Sequence, residues 1–189
     1  HYDFRDYAMA SIKRRLQKAC EDFKCATYSQ LQDMILHDPE GLHKMLQYLT
    51  VQVTEMFRNP AYFKAIRTEI VPHLKTYPSL KVWVAGCSSG EELYSLMILF
   101  HEEGLLERTI FYGTDINHDA LSIAEKGIYN AERIKLYSEN YQKSGGRGSL
   151  SDYYTAAYDK AVFDKKLKKS AVFSDHSLVT DSVFAEVQF

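Results

Sequence analysis

The stretch from Leu80 to Ala124 constrains the fold most. Leu80 to Ala85 is a short apolar run suited to a buried strand, Gly86-Cys87-Ser88-Ser89-Gly90 is a tight loop, and Glu91 to Glu103 places Leu93, Leu96, Met97 and Phe100 at helical spacing. Ile110 to Thr114 reads as a second strand closed by Asp115-Ile116-Asn117, and a helix with Leu121 and Ala124 inward follows. Strand, helix, strand, helix is the grammar of an α/β fold with a parallel sheet. Tyr77-Pro78-Ser79 breaks the chain just before it.

The N-terminal part has no strand pattern. Met9, Ile12, Leu16, Ala19, Cys20 and Phe23 form one helical face, with Lys13, Arg14, Arg15 and Lys18 on the other. A second helix is predicted near Tyr28 to Leu36. Asp38 as N-cap and Pro39 then start a third, with Leu42, Met45, Leu46 and Leu49 along one side. Asn59-Pro60 opens another helix that buries Phe63, Ile66, Ile70 and Leu74. Three parts are expected: a helical domain over 1–50, a linker and connecting helix over 51–79, and a sheet-bearing domain from 80 onward.

Beyond the second strand, Ser144-Gly145-Gly146-Arg147-Gly148-Ser149 reads as a flexible insertion, either a lid or an exposed turn. Ala161-Val162-Phe163, Ala171-Val172-Phe173 and Phe184 to Phe189 read as strands.

Composition excludes several classes. With Lys+Arg 23 against Asp+Glu 25, the chain lacks the basic excess of a nucleic-acid binder. No apolar run approaches the roughly 20 residues that cross a bilayer, and the N-terminus shows no signal-peptide pattern. Cys20, Cys25 and Cys87 are odd in number and lack CxxC spacing, which fits a reducing cytoplasm and no Cys-rich metal site. The histidines, including His37, His43, His118 and His176, form no metal-ligand spacing, so no metal is expected.

A GxxxG loop between strand and helix brings backbone against a ligand at a helix N-terminus. It is not GxGxxG, and Glu91 stands where a phosphate-binding loop has Lys. Glu91 and Glu92 would repel phosphate and welcome an ammonium, which moves the reading from a dinucleotide toward S-adenosylmethionine. Asp115 at the second strand's end suits ribose hydroxyls, although a strand-end Asp also caps the helix that follows.

The strings YDFRDYAMASIKRRL, LTVQVTEMFRNPAYF, VWVAGCSSGEELYSLM, YGTDINHDALSIAEKGIY and FSDHSLVTD, in that order, resemble the CheR-type chemotaxis receptor glutamate methyltransferases. TEMFR, GCSSGEELYS and TDIN are the most specific. The resemblance implies a small all-α domain followed by a Rossmann-like S-adenosylmethionine methyltransferase sheet, which methylates glutamates on the cytoplasmic helices of chemoreceptors. It places Gln52, Thr54 and Arg58 over the methyl donor, Glu91 at its methionyl ammonium, Asp115 at its ribose, and Ser177 and Leu178 near its adenine, and it makes Ala85 a further cofactor contact. It makes Lys13, Arg14, Arg15 and Lys18 the receptor-facing surface. The chain departs from the family pattern at Gln52 and Ser177, usually Asn, and at Leu93, usually Pro.

The implied chemistry requires no general base, because a glutamate with a pKa of about 4.3 is already an anion at neutral pH. Arg58 is the candidate to orient it, through a fork of N–H donors that Lys lacks. Members of this family continue past the position of Phe189, so the sheet is expected to be incomplete on its C-terminal side. That leaves an apolar edge able to pair with another chain, and weak or absent turnover. The alternative is a noncatalytic module of the same fold that binds S-adenosylmethionine or S-adenosylhomocysteine. A dinucleotide oxidoreductase ranks third.

Overall fold

The computed structural model describes residues 7–49, 54–178 and 181–189. The chain divides into two compact units, His1–Val53 and Thr54–Phe189.

The first unit is helical throughout its described residues: α1 (Met9–Asp22), α2 (Tyr28–His37) and α3 (Pro39–Leu49). The Thr27 hydroxyl accepts from Gln30 N at 3.2 Å to cap α2, and the Asp38 carboxylate accepts from Glu40 N at 3.0 Å where Pro39 opens α3. Ala19, Leu31 and Met45 form its core, with Leu16, Cys20 and Phe23 against them. Met9 and Leu42, expected inward, are exposed, each in the first turn of its helix where the packed stripe ends. Arg15 also departs from the predicted basic face. It is half-buried and donates to the carbonyls of Leu49 at 2.5 Å and Tyr48 at 3.5 Å, a cation on the C-terminus of α3. Lys13, Arg14 and Lys18 are exposed.

The second unit opens with α4 (Pro60–Ala65), which runs through a π turn (Ile66–Ile70) into α5 (Val71–Leu74). Pro72 has no N–H to give the preceding turn, and the π turn absorbs the defect by adding a residue. The extra residue moves the core position on by one, so Val71 is buried at 1% exposure and Ile70, expected inward, stands 37% exposed.

Three parallel strands follow in the order β1 (Leu80–Ala85), β2 (Thr109–Asp115) and β6 (Ala171–Asp175), with Leu80 opposite Thr109 and Phe111 opposite Ala171. Leu80, Val82, Val84 and Phe111 line one face, beneath α6 (Glu91–Glu102) and its neighbour α7 (His118–Lys126). Residues 93–100 of α6 are buried on every side, so this helix is central rather than amphipathic. The opposite face carries Trp83 and Tyr112, half-buried, with Ile110 and Val172 exposed.

Phe184 to Phe189 does not form a regular strand. Its end nevertheless occupies the outer edge of β1: Trp83 N donates to Phe189 O at 2.8 Å and Gln188 N to Lys81 O at 3.0 Å. The apolar edge expected on β1 is therefore bonded, and the less covered apolar surface is a sheet face.

A second, antiparallel sheet has the order β3 (Ile128–Asn130), β5 (Lys160–Phe163) and β4 (Tyr154–Ala157). Between β3 and β4 lie a 3-10 turn (Ala131–Arg133) and α8 (Ile134–Lys143), and the short α9 (Lys165–Lys168) follows β5. The Ser144–Ser149 insertion is tied down rather than lid-like. Gly148 N donates to the Tyr141 hydroxyl at 3.0 Å, and Arg147 donates to Glu103 Oε1 at 2.6 Å. No described helix is long and apolar enough to cross a membrane.

Candidate functional site

The carboxyl ends of β1 and β2 and the N-terminus of α6 converge at the Gly86–Gly90 loop. Gly90 has a φ of +90°, and a Cβ there would lie 2.8 Å from Ala124 Cβ, so the position demands glycine twice over. Cys87 N donates to Thr114 O at 2.8 Å, continuing the ladder between the strands into the loop. The Asp115 carboxylate then takes both sides of the turn, accepting from Ser88 N at 2.7 Å and from Asn117 N at 2.9 Å. Ser88 sits at a φ of 51°, which that bond holds in place. Capping of α7 falls to Asn117, whose side chain accepts from Asp119 N and Ala120 N. Asp115 is thereby relieved of the capping role its position suggested.

Glu91, only 1% exposed, is the most unusual group here. Its Oε2 accepts from Ser89 Oγ at 2.6 Å, and its Oε1 from Arg133 Nη1 and Tyr137 Oη, both at 3.3 Å. Burial raises its pKa above the ordinary carboxylate range, and these donors, with its own backbone, only partly oppose that. One cation and two hydroxyls reach this carboxylate from side chains, and its own backbone N–H also favours the charged form.

Arg133 also donates to Thr54 O at 2.7 Å, which brings the Thr54–Arg58 segment to Glu91. That segment is fixed from below. Phe57, fully buried at a φ of 51°, donates its N–H to Ser95 Oγ at 2.9 Å, and Asn140 Nδ2 donates to Met56 O at 3.2 Å. The Phe57 ring packs edge-on against Phe63 and Tyr141. Arg58 is exposed and lines a cleft of about 200 Å³ with Thr54, Tyr62 and Glu92.

The remaining predicted residues divide. Ala85 ends β1, exposed. Ser177 follows β6 and is buried, its N–H on Asp181 Oδ2 at 2.9 Å, while Leu178 is 65% exposed. His176 N donates to Asp115 O at 3.3 Å, so this segment adjoins Asp115. Gln52 lies outside the described residues. Arg133, Tyr137, Ser89 and Ser95 escape sequence reasoning. Ser89 and Ser95 are read only as part of the GCSSGEELYS string, and the signal for Arg133 and Tyr137 is a four-residue spacing common on any helix.

Tyr137 and Tyr129 have hydroxyls raised by burial, so they act as donors, and Tyr129 Oη donates to Ser89 O at 2.8 Å. The Cys87 thiol is pushed up to about 12, chiefly by burial and then by Asp115, which makes it inert as a nucleophile. Among the described residues no group of three His, Cys, Asp or Glu side chains could hold a metal.

An open parallel sheet binds its ligand in the crevice outside the carboxyl ends of its strands, where these groups lie. Residues 52–189 match the family model described as CheR methyltransferase, SAM binding domain, and residues 1–50 match CheR methyltransferase, all-alpha domain. The chain belongs to the CheR methyltransferase family. It is 56% identical over 187 residues to a putative methyltransferase Cher3 of Pseudomonas putida, covering 99% of this chain and 68% of that protein. A chemotaxis protein methyltransferase of Listeria monocytogenes is 26% identical over 181 residues, 95% of this chain and 66% of that one. One of Borreliella burgdorferi is 28% identical over 150 residues, 74% and 50% respectively. The chain thus spans from half to about two thirds of these relatives' length.

The cofactor of this family's binding domain is S-adenosylmethionine. The residues present fit it: a buried carboxylate with a single cationic partner, a second acid at a strand end, and a glycine loop that permits close approach.

Proposed function

We propose that this chain transfers the methyl group of S-adenosylmethionine to glutamate side chains on the cytoplasmic helices of chemoreceptors, within the cytoplasm. The observation that supports the reading is the buried Glu91 carboxylate at the N-terminus of α6, which has one cationic partner and two hydroxyl donors. Glu91 receives the ammonium of the methionyl end, Asp115 accepts from the ribose hydroxyls, and Ala85 and the loop backbone line the path between them. Ser177 and Leu178 border the adenine, while Thr54 borders the methyl donor. The bound cofactor supplies an electrophilic methyl on sulfonium.

Arg58, exposed in its cleft, pairs with the incoming glutamate carboxylate and aims one oxygen at the methyl carbon. As the O–C bond forms, the C–S bond breaks, giving the methyl ester and S-adenosylhomocysteine. The nucleophile arrives ionised, so no residue needs to take a proton. That agrees with a site whose tyrosines and cysteine all hold theirs.

The receptor surface is assigned to α1. Arg14 and Lys18 line a hollow of about 460 Å³ with Arg15, Gln47 and Tyr48, and Lys13 is exposed on the same helix. With Arg15 engaged on α3, the cations offered to an acidic helix are Lys13, Arg14 and Lys18.

Calorimetry of S-adenosylhomocysteine with the chain and with Asp115→Ala and Glu91→Ala tests the reading. Binding in the parent lost in both variants, followed by methyl incorporation into receptor helices, is the expected result. Binding indifferent to both substitutions would refute the placement.

A further inference from the structure

Arg133 lies on the 3-10 turn between β3 and α8, 42 residues after Glu91, and the roles assigned above leave it unused. Its guanidinium sits 5.2 Å from the centroid of the Tyr137 ring, with Nη1 on Glu91 Oε1 at 3.3 Å and Nη2 on Thr54 O at 2.7 Å. The carboxylate it pairs with is 1% exposed, whereas its own side chain is 42% exposed. A guanidinium carries five N–H donors, and these contacts use two. The rest stand on a partly open side chain beside the acceptor assigned to the ligand's ammonium.

We propose that Arg133 is a specificity-determining residue that binds the carboxylate of the cofactor's methionyl end, forming with Glu91 a clamp for an α-amino-acid zwitterion. The inference rests on the cofactor placement proposed above. The charge balance supports it: a ligand that brought only an ammonium to Glu91 would place a second cation beside Arg133, against a carboxylate that is 1% exposed. A ligand that also carries a carboxylate turns that repulsion into attraction, because the negative group meets the guanidinium while the positive group meets Glu91. The two protein charges lie 3.3 Å apart, comparable to the separation of the two charged groups on one α-carbon. Arginine suits the role better than lysine, since its planar fork can serve the ligand with one edge while keeping Thr54 and Glu91 with the other.

The test compares S-adenosylhomocysteine with its decarboxylated analogue, which keeps the adenosine and the amine but lacks the carboxylate, by calorimetry on the parent chain, Arg133→Gln and Arg133→Lys. The parent should prefer S-adenosylhomocysteine. Arg133→Gln should weaken it by about 10-fold or more, the scale of a lost hydrogen bond to a charged group, while changing the analogue by no more than about 3-fold. Arg133→Lys should fall between. A role limited to holding the fold would weaken both ligands alike in both variants, leave their ratio unchanged and overturn the proposal. Failure of the parent chain to bind S-adenosylhomocysteine would overturn the cofactor placement and the clamp together, and is distinguishable because it appears before any substitution.

Discussion

Removing one hydroxyl, in Ser95→Ala, tests how the segment bearing Arg58 is held. Ser95 is fully buried in the middle of α6; its Oγ donates to Glu91 O at 2.7 Å and accepts from Phe57 N at 2.9 Å. Glu91 O keeps its helical partner when the hydroxyl is lost, but the N–H of Phe57 is left with no acceptor in a fully buried environment. An unsatisfied buried donor costs about 1–3 kcal/mol, and the void left by a single oxygen adds little. The positive φ of Phe57 is already strained, so the backbone has a reason to relax once this bond is gone. Urea unfolding followed by fluorescence of Trp83, the chain's single tryptophan, reports on the α/β unit alone. The expected result is a lower midpoint with an unchanged slope, equivalent to about 2 kcal/mol. A loss below about 0.5 kcal/mol, the size of an ordinary surface substitution, would refute the claim that this hydroxyl anchors the segment.

Two further outcomes follow from the same geometry. Glu91 in the folded chain holds its proton to higher pH than an ordinary glutamate, so as pH falls through its raised pKa the fold gains stability from this group while the carboxylate stops attracting an ammonium. S-adenosylhomocysteine affinity should therefore begin to fall at a pH above the ordinary Glu value of about 4.3, and Glu91→Gln should flatten that profile in calorimetry between pH 8 and 5. Arg58→Ala should lower methyl incorporation into receptor helices by about 100-fold with cofactor affinity changed only a few-fold, and Arg58→Lys should not restore it. Loss of affinity in step with turnover would instead make Arg58 a cofactor anchor.

What could be read from the sequence was what neighbouring residues decide. Asp38-Pro39 and Asn59-Pro60 start helices through local backbone chemistry, and the strand–GxxxG–helix order sets the direction of β1 and β2. Where distant residues decide, the reading ran out. One local effect was missed as well: Pro72 converts the preceding turn to π geometry and exchanges Val71 for Ile70 in the core, a shift that a fixed 3.6 period does not anticipate. The glycines near residue 146 suggested mobility, but Arg147 reaches back to Glu102 and Glu103, and Tyr141 Oη takes Gly148 N. Ala161–Phe163 has the same apolar signature as Ala171–Phe173 yet joins another sheet, because pairing partners are not written in either run. Arg133 was invisible for a similar reason: its partners lie at Glu91 and Thr54, and no spacing rule connects them.

The two ends of α6 bear differently on the cofactor placement proposed for Glu91. Carboxylates are favoured at a helix N-terminus and disfavoured at its C-terminus, so Glu102 and Glu103 should be the costlier pair to bury. Both are 5% exposed, and each is matched by donors. Glu102 accepts from Arg67, from the hydroxyls of Tyr141 and Tyr153, and from Arg147 N, while Glu103 takes Arg67, Arg147 and Lys75. Four donors fill the acceptor capacity of Glu102, and three separate cations surround Glu103. Glu91 is more deeply buried than either, yet has one cation, two hydroxyls and a raised pKa. A buried carboxylate short of donors is unfavourable for folding alone, and a ligand ammonium is the kind of group that would complete it. The end of the helix with the smaller intrinsic penalty is thus the one with the fewer cations, next to the glycine loop, and this supports placing the ammonium of the proposed cofactor there.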